Sequence, residues 1–271
     1  MLNNTFIIQS VDVKQHPHTH AQEKVLNGGT TMNNKKDRKN FFHRFEGLTT
    51  AAIAKMTLKA LSEYIYLSDG NEKLKSNDKV KFLIWNLPAV ITCPGKTAQC
   101  FEKCYAKIAE MMYPGARNRR KKNLWISGSV FFVPMVIRWI ELKAKHAKQK
   151  KIVVRVHESG DFYSKKYAEK WLTIMRHFEG DKKIVFEAYT KSLWMFEGVD
   201  LPKNFQLLYS VWPDTPTLEL VRAKRMNVRI YTTFQEGDER FKQYFICPCD
   251  DCGHCLACIN SKYSQIAAVI R

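Results

Sequence analysis

The feature that most constrains the fold is an alternation of short apolar runs with longer amphipathic segments, which begins near residue 80. β-branched and aromatic residues fill five runs that we predict to be strands, Val80–Trp85, Ile152–His157, Ile184–Tyr189, Phe205–Val211 and Val228–Thr232. Helical patterns lie between them, over Ala98–Met112, Trp125–Gln149 in one or two pieces, Lys165–Phe178 and Thr217–Met226. Such alternation predicts parallel βα units.

The spacing of the last four predicted strands indicates how these units are arranged. Their first residues are 32, 21 and 23 positions apart, which leaves room for a crossover in each interval. We therefore expect an α/β fold, a partial (β/α) barrel of parallel strands with a helical N-terminal region and a cysteine-rich C-terminal segment. A doubly wound open sheet gives similar intervals, and both architectures bind ligands beside the carboxyl ends of the strands.

We predict three parts of the chain: a mobile polar tail over 1–45, the partial-barrel domain over 46–245, and a cysteine-rich metal-binding segment over 246–271 packed on it. A helix is expected over Thr49–Ser62. Hydrophobic residues make up 45% of the 271 positions, which excludes general disorder. No apolar run approaches the roughly 20 residues that a bilayer requires, and the N-terminus lacks a secretion-signal pattern. We expect a cytoplasmic protein without a membrane partner.

Cysteine is the residue type that points most directly to chemistry. The eight cysteines fall into two groups, Cys93, Cys100 and Cys104, then Cys247, Cys249, Cys252, Cys255 and Cys258. Two residues separate neighbouring thiols in much of the second group, a spacing that suits tetrahedral zinc or an iron–sulfur cluster. We predict that all eight cysteines are metal ligands. The metal centre is either an iron–sulfur cluster, of which [4Fe-4S] is the type we favour, or zinc. The second group can form its own four-thiolate site with one spare, or lend a ligand to the first.

Polar residues follow the predicted strands and mark a candidate pocket. His157 ends the second predicted strand and Glu158 and Asp161 follow it, and we predict that these three residues position or protonate a ligand. Together with Gly160 and Asp161, we place Tyr189 and Lys191, at the end of the third strand, among the residues that bind a cofactor. The alternative is that Asp161 holds its loop in an Asx-type turn.

The positive charge is concentrated in one segment. Lys and Arg number 44 against 26 Asp and Glu, a net charge of +18, and Gly115–Lys151 contains 11 basic residues and the single acid Glu141. Nucleic-acid phosphates are a common target of such a stripe, although a solvated helix face is an equally simple explanation. We predict phosphate contacts from Arg117, Arg119, Arg120, Lys121 and Lys122.

The segments NLPAVITCPGKTAQCFEKCYA, YPGARNRR, VRVHESGDFYS and EAYTKS, with the terminal cysteines, resemble the gene product 88 family of phages and mobile elements. More distantly, a strand, a cysteine loop, a helix and a second strand ending in a Gly-acid pair are similar to the start of radical S-adenosylmethionine enzymes. That resemblance implies that Cys93, Cys100 and Cys104 hold a [4Fe-4S] cluster whose open iron binds S-adenosylmethionine. It also implies that Gly160 and Asp161 receive the methionine amino group.

These observations lead to a functional hypothesis and two alternatives. We expect a phage or mobile-element metalloprotein, iron–sulfur in type, with a radical-S-adenosylmethionine-like barrel that acts on nucleic acid or nucleotide. The first alternative is a non-catalytic nucleic-acid-binding protein stabilised by zinc. The second is a phage protein that remodels a host partner by surface contact.

Overall fold

Eight strands form one sheet in the computed structural model, which describes residues 35–147, 150–234, 238–239, 242–248, 251–260 and 262–269. The strands are β1 Leu67–Ser68, β2 Val80–Trp85, β3 Lys151–Val156, β4 Ile184–Thr190, β5 Phe205–Val211, β6 Arg229–Phe234, β7 Phe245–Ile246 and β8 Gln265–Val269. Their spatial order is β1-β2-β3-β4-β5-β6-β8-β7. Neighbouring strands run parallel, apart from the antiparallel pair of β1 and β2.

Ten α-helices accompany the strands within the described ranges. They are α1 Lys35–His43, α2 Thr50–Ala54, α3 Leu58–Ser62, α4 Ala98–Glu102, α5 Tyr105–Met112, α6 Pro114–Ser127, α7 Phe132–His146, α8 Lys165–His177, α9 Thr217–Arg225 and α10 Cys252–Cys255. A short 3-10 helix, Leu193–Phe196, links β4 to β5. In this part of the chain no helix has both the length and the apolar character needed to cross a membrane.

The five predicted strands are present with small shifts at their ends, and the structure adds β1, β7 and β8. Two predicted helices are each broken in two. Thr57 interrupts the first, because its Oγ1 accepts a hydrogen bond from the amide of Ala60 at 3.3 Å and so starts α3. The second is broken between α4 and α5, just before Tyr105. The basic run lies in α6, which begins at Pro114, ahead of the helix we predicted from Trp125.

The α/β fold with parallel strands is confirmed, but the sheet is not closed into a barrel. β1 and β7 are the two edges of an open sheet. Because β2 to β6 follow one another in space, right-handed crossovers carry the connecting helices to the same face of the sheet. A large core fills the space between that face and the helices, with Trp85, Phe132 and Trp171 almost completely buried.

The opposite face is covered by the cysteine-rich segment, because the strand order reverses at the end of the chain. β8 returns to lie between β6 and β7, so a right-handed connection from β7 to β8 passes over the face that the helices leave open. Leu256 and Ile259 of this connection pack with Phe82 and Val153 of the sheet. We call the face packed against the helices the helix-side face, and the face covered by the cysteine-rich segment the cysteine-side face.

The described part of the segment 1–45 packs on the domain. Phe41 and Phe45 are 4% and 7% exposed and belong to the helix-side core, so the packed chain begins before the boundary that we placed at residue 45. We placed the boundary at residue 45 because the segment before it is mostly polar. The two rings nevertheless pack in the apolar core, so the folded domain includes them. Residues 1–34 lie outside the described residues.

Arg229 of β6 attaches the cysteine-rich segment to the sheet. Its guanidinium donates to the backbone carbonyl oxygens of Tyr263 and Cys258 at 2.7 Å each, and of Ala257 at 2.9 Å. A planar guanidinium can satisfy three carbonyls at once, which an ammonium or amide cannot do in this geometry. The Arg229 side chain thus holds both ends of the loop 257–263, which precedes β8.

We expect Arg229→Ala to lower the free energy of unfolding by about 3 kcal/mol, because it leaves three inward-facing carbonyls without donors. Urea unfolding followed by circular dichroism would measure the change. Lys224→Ala, an exposed site in α9, is the matched control and should behave as the wild type. Equal stability of both variants would contradict this role of Arg229.

Candidate functional site

The loops after β2 and β3 are bound to each other at the carboxyl edge of the sheet. The side-chain oxygen of Asn86 accepts hydrogen bonds from the amides of Glu158 and Ser159 at 2.9 and 2.8 Å. The amide of Leu87 donates to the carbonyl of Ser159, and the Ser159 hydroxyl donates back to the carbonyl of Leu87, both at 2.9 Å. These bonds hold the start of the cysteine loop against the His157–Asp161 loop.

Gly160 is required by close packing at this contact. Its φ is +82°, and a Cβ there would lie 2.6 Å from the Thr92 hydroxyl oxygen and 2.7 Å from the Leu87 Cβ. The Thr92 hydroxyl is itself buried and donates to the carbonyl of Pro88 at 2.6 Å. A glycine is therefore needed here for steric reasons, independently of any cofactor.

Asp161 binds the next loop rather than facing open space. Its carboxylate accepts hydrogen bonds from the Thr190 hydroxyl at 2.7 Å, the Lys191 amide at 2.9 Å and the Ser192 hydroxyl at 3.1 Å. A further bond of 2.7 Å comes from the amide of Phe162. Burial raises the pKa of Asp161, and these hydrogen bonds oppose the rise. These bonds hold the loop after β4 and do not form the Asx-type turn of our alternative, and they leave Asp161 poorly fitted to bind a methionine amino group.

His157 is also buried, which does not fit the role of a proton donor. The ring is packed edge-on against Phe162, and its Nε2 lies 2.8 Å from the Tyr167 hydroxyl. Burial, followed by the charge of Arg155, lowers the pKa of His157 to about 3. At neutral pH the imidazole is therefore uncharged. The residue is 3% exposed.

Glu158 is the more accessible acid of this loop. It is half-buried, and its carboxylate accepts a hydrogen bond from the Asn71 side chain. Its backbone carbonyl accepts a hydrogen bond from the Tyr105 hydroxyl, which links the loop to α5. Of the three residues that we predicted to position or protonate a ligand, His157 and Asp161 are buried and Glu158 is partly exposed to solvent.

The first cysteine group lies after β2, in the loop and the two short helices that follow the strand at the same edge. Cys100 lies in α4, whose start is capped by the Thr97 hydroxyl at 3.3 Å from the Cys100 amide, whereas Cys104 is the N-cap of α5. The two thiols are thus on different helices, not on one helical face. Burial raises the pKa of Cys93, and the neighbouring charges of Cys100 and Cys104 add to that rise.

Lys191 brings a positive charge to this first group. Its ammonium donates to the backbone carbonyl and the hydroxyl of Ser210 at 2.8 and 3.0 Å, and the residue is 8% exposed. Burial lowers the pKa of Lys191 to about 8, opposed by the charges of Cys100, Asp161 and Asp214. The same lysine lowers the pKa of Cys100 against the effect of burial. The site therefore contains a built-in counter-charge for thiolates.

The second cysteine group lies over the cysteine-side face of the sheet, where four thiols and a buried ion pair line one pocket. The lining includes Cys247, Cys252, Cys255, Cys258, Arg155, Glu187 and Tyr189. Arg155 is 3.4 Å from the Glu187 carboxylate, and its guanidinium stacks 3.6 Å above the Tyr189 ring. The Tyr189 hydroxyl donates to the sulfur of Cys258. Cys249 lies outside the described residues.

This pocket changes the grouping that we predicted. Tyr189 faces the second group of thiols, whereas Asp161 and Lys191 lie by the first. Sequence reasoning missed Arg155, although a charged residue inside an otherwise apolar strand was a signal for it. Within the described ranges, no three or more His, Cys, Asp or Glu side chains are already arranged to hold a metal ion.

The basic run on α6 divides into exposed and partnered residues. Arg117 and Arg119 are exposed, although the guanidinium of Arg119 also stacks 4.3 Å from the ring centre of Tyr66. Arg120 is paired with Glu110 at 2.9 Å, and both side chains are mostly buried. Arg120 is therefore a structural residue rather than a phosphate contact. Lys121 and Lys122 are half-buried on the next turn.

Comparison with known proteins assigns the chain to a class. The strand order defines an open-sheet α/β protein, which here carries two cysteine groups. A family model described as Gene product 88 matches residues 65–267. The chain belongs to the gene product 88 family.

Two phage proteins illustrate the relationship. The Gene 88 protein of Mycobacterium phage D29 is 26% identical over 197 residues, covering 65% of this chain and 81% of that protein. The Gene 88 protein of Mycobacterium phage L5 is 24% identical over 192 residues, covering 63% and 79%. No solved structure matches the chain, and the radical S-adenosylmethionine resemblance is not confirmed by these matches.

We expect Asp161→Asn to lower the free energy of unfolding by about 3 kcal/mol, because one carboxylate oxygen becomes an NH2 donor. That donor faces either the Lys191 amide and the Ser192 hydroxyl, or the Thr190 hydroxyl and the Phe162 amide. Chemical denaturation would measure it. Asp78→Asn, at an exposed position, is the matched control and should change stability little. A stable Asp161→Asn variant would remove the loop-holding role.

We expect His157 to make the protein sensitive to acid. Its folded pKa of about 3 lies below the ordinary value of 6.5, so its contribution is complete above pH 6.5 and is lost as pH falls toward 3. Between pH 7 and pH 5 this loss is about 2 kcal/mol. His157→Asn does not titrate and tolerates the positive φ of 69°. Urea unfolding at both pH values should show a smaller loss for the variant; equal losses would refute the assignment.

Proposed function

We propose that this protein holds an iron–sulfur cluster at the carboxyl edge of its sheet through Cys93, Cys100 and Cys104, and that it acts on nucleic acid. The observation that carries the proposal is that the loop and short helices bearing these three thiols follow β2 at the carboxyl edge, where Lys191 is buried and its ammonium is bound to Ser210. Ligands of open parallel sheets bind at this edge, outside the carboxyl ends of the strands. The bound cluster would supply electron transfer or an open iron site.

The donor set supports a cluster more than a single zinc ion. In a tetrahedral zinc site, thiolate sulfurs bonded at about 2.3 Å lie within roughly 4 Å of one another. A cluster separates its cysteine sulfurs more widely, because iron and sulfide atoms lie between them. Three thiolates on one edge match the protein ligands of a [4Fe-4S] cluster with one open iron, whereas a structural zinc takes four protein ligands.

Lys191 would stabilise this centre through its charge. A cluster with its thiolates is anionic, and an ammonium beside the ligands favours their deprotonated form. Asp161 would contribute only by holding the Lys191 loop in place, since its own carboxylate accepts four hydrogen bonds from the chain. We therefore propose the cluster without assigning S-adenosylmethionine to Gly160 and Asp161, whose geometry does not fit that ligand.

Metal analysis after anaerobic purification tests this proposal. We expect stoichiometric iron and sulfide with sulfur-to-iron absorption in the visible range, and loss of both in the Cys93→Ser/Cys100→Ser/Cys104→Ser variant. The matched control is the Cys252→Ser/Cys255→Ser/Cys258→Ser variant, which should keep the edge cluster. Circular dichroism would show whether each variant folds. Iron retained by the first variant, or a colourless wild type containing zinc alone, would contradict the proposal.

The second candidate function is a zinc-stabilised protein that binds nucleic acid without catalysis. The four described thiols of one pocket favour it, because that number of ligands saturates a structural zinc and leaves no open position. Such a centre would attach the cysteine-rich segment to the cysteine-side face. In the same metal analysis, stoichiometric zinc that is lost only from the Cys252, Cys255 and Cys258 variant would identify this function.

A further inference from the structure

Helix α5 carries its apolar residues on the face that points away from the core. Tyr105, Ile108 and Met112 are three and seven positions apart, so they lie on one face, and they are 61%, 51% and 63% exposed. Ala106, on the opposite side, is the residue that α5 buries. An amphipathic helix normally turns its apolar face inward, so an outward apolar face marks a surface that binds something.

Two further exposed aromatic rings flank α5 in the chain, one before its start and one just after its end. Phe101 of α4 is 44% exposed, and Tyr113, between α5 and α6, is 59% exposed. The Lys107 ammonium lies 4.2 Å from the centre of the Phe101 ring, which places positive charge directly beside an aromatic face. We define the aromatic face as Phe101, Tyr105, Ile108, Met112 and Tyr113.

The charge around the aromatic face favours a polyanion. Residues 101–122 contain seven Lys and Arg and two acids, Glu102 and Glu110, of which Glu110 is already paired with Arg120. Arg117 and Arg119 remain exposed one to two turns beyond Tyr113. A second copy of this chain would bring equal positive charge against it, so self-association through this face is disfavoured.

The aromatic face also borders the first cysteine group. Cys104 is the N-cap of α5, and Phe101 follows Cys100 directly in α4. The Tyr105 hydroxyl donates to the Glu158 carbonyl, which fixes the ring beside the His157–Asp161 loop. A polymer lying across this face would therefore reach the carboxyl edge of the sheet.

We propose that the aromatic face and the exposed arginines of α6 bind single-stranded nucleic acid. Bases would stack on Phe101, Tyr105 and Tyr113, and Arg117 and Arg119 would contact the phosphates. Aromatic side chains interleaved with basic ones are the usual means of binding single strands, because every base has a π-face to stack. A duplex hides those faces between its base pairs. The inference rests on the nucleic-acid part of the proposed function and adds a strand preference and a location.

Fluorescence anisotropy with labelled oligothymidylate of about 20 nucleotides, single-stranded or paired with oligoadenylate, tests the inference. We expect the full-length wild type to bind the single strand at least tenfold more tightly. Phe101→Leu/Tyr113→Leu keeps apolar bulk but removes two of the three stacking rings, and should weaken single-strand binding about tenfold. Arg117→Gln/Arg119→Gln should lower the slope of log affinity against log salt by about 1.4.

A charge-matched control separates local from general electrostatics. Lys182 precedes β4 and Lys224 lies near the end of α9, so both are exposed at the opposite, amino edge of the sheet. The variant Lys182→Gln/Lys224→Gln removes the same charge as the arginine variant and should bind as the wild type. Thermal unfolding of every variant confirms that the exposed substitutions leave the fold intact.

The outcomes distinguish this inference from the proposed function. If the leucine variant binds as tightly as the wild type while the arginine variant weakens, stacking is refuted and nucleic-acid binding stands. Equal binding of single strand and duplex also overturns the inference. If the wild type binds neither oligonucleotide but binds vesicles of equal phosphatidylglycerol and phosphatidylcholine, the face is a membrane surface and the nucleic-acid part of the proposed function fails with it. The metal analysis is independent of all three results.

Discussion

The carboxylate of Asp161 is the interaction on which the carboxyl edge depends. It accepts hydrogen bonds from the Thr190 and Ser192 hydroxyls and from the Lys191 amide, so one buried side chain connects the loops after β3 and β4. Lys191 is thereby held beside the cysteine loop, whose Gly95 has no room for a Cβ because that atom would lie 2.4 Å from the Lys191 carbonyl oxygen. The local charge around the first thiols follows from this connection.

Strand order separates the two cysteine groups. The sequential order of β2 to β6 brings the first group to the carboxyl edge, because every parallel strand ends there. The reversal at β7 and β8 sends the second group across the cysteine-side face, where Arg229 holds its backbone. Two groups that are distant in the sequence thus occupy different parts of one sheet. This placement supports two independent centres over a single site shared between them.

The sequence allowed good prediction of the elements and poor prediction of what individual polar residues do. Five strands were found from β-branched runs, because burial on both faces of a parallel sheet leaves a continuous apolar signal. The edge strands β1 and β7 have two residues each and leave no such signal. His157 and Asp161 were expected to face a ligand, but their partners Tyr167 and Thr190 are far enough along the chain that only folding reveals them.

By itself, the sequence determined the alternation of strand and helix, the two sets of thiols and the concentration of positive charge, since each is a property of neighbouring residues. Tertiary structure alone decided that Arg120 pairs with Glu110, that Tyr189 faces the second group of thiols, and that α5 turns its apolar residues outward. The physical reason is that burial and pairing depend on which surfaces meet after crossovers form. Local pattern specifies an element's faces, and packing specifies which of them is covered.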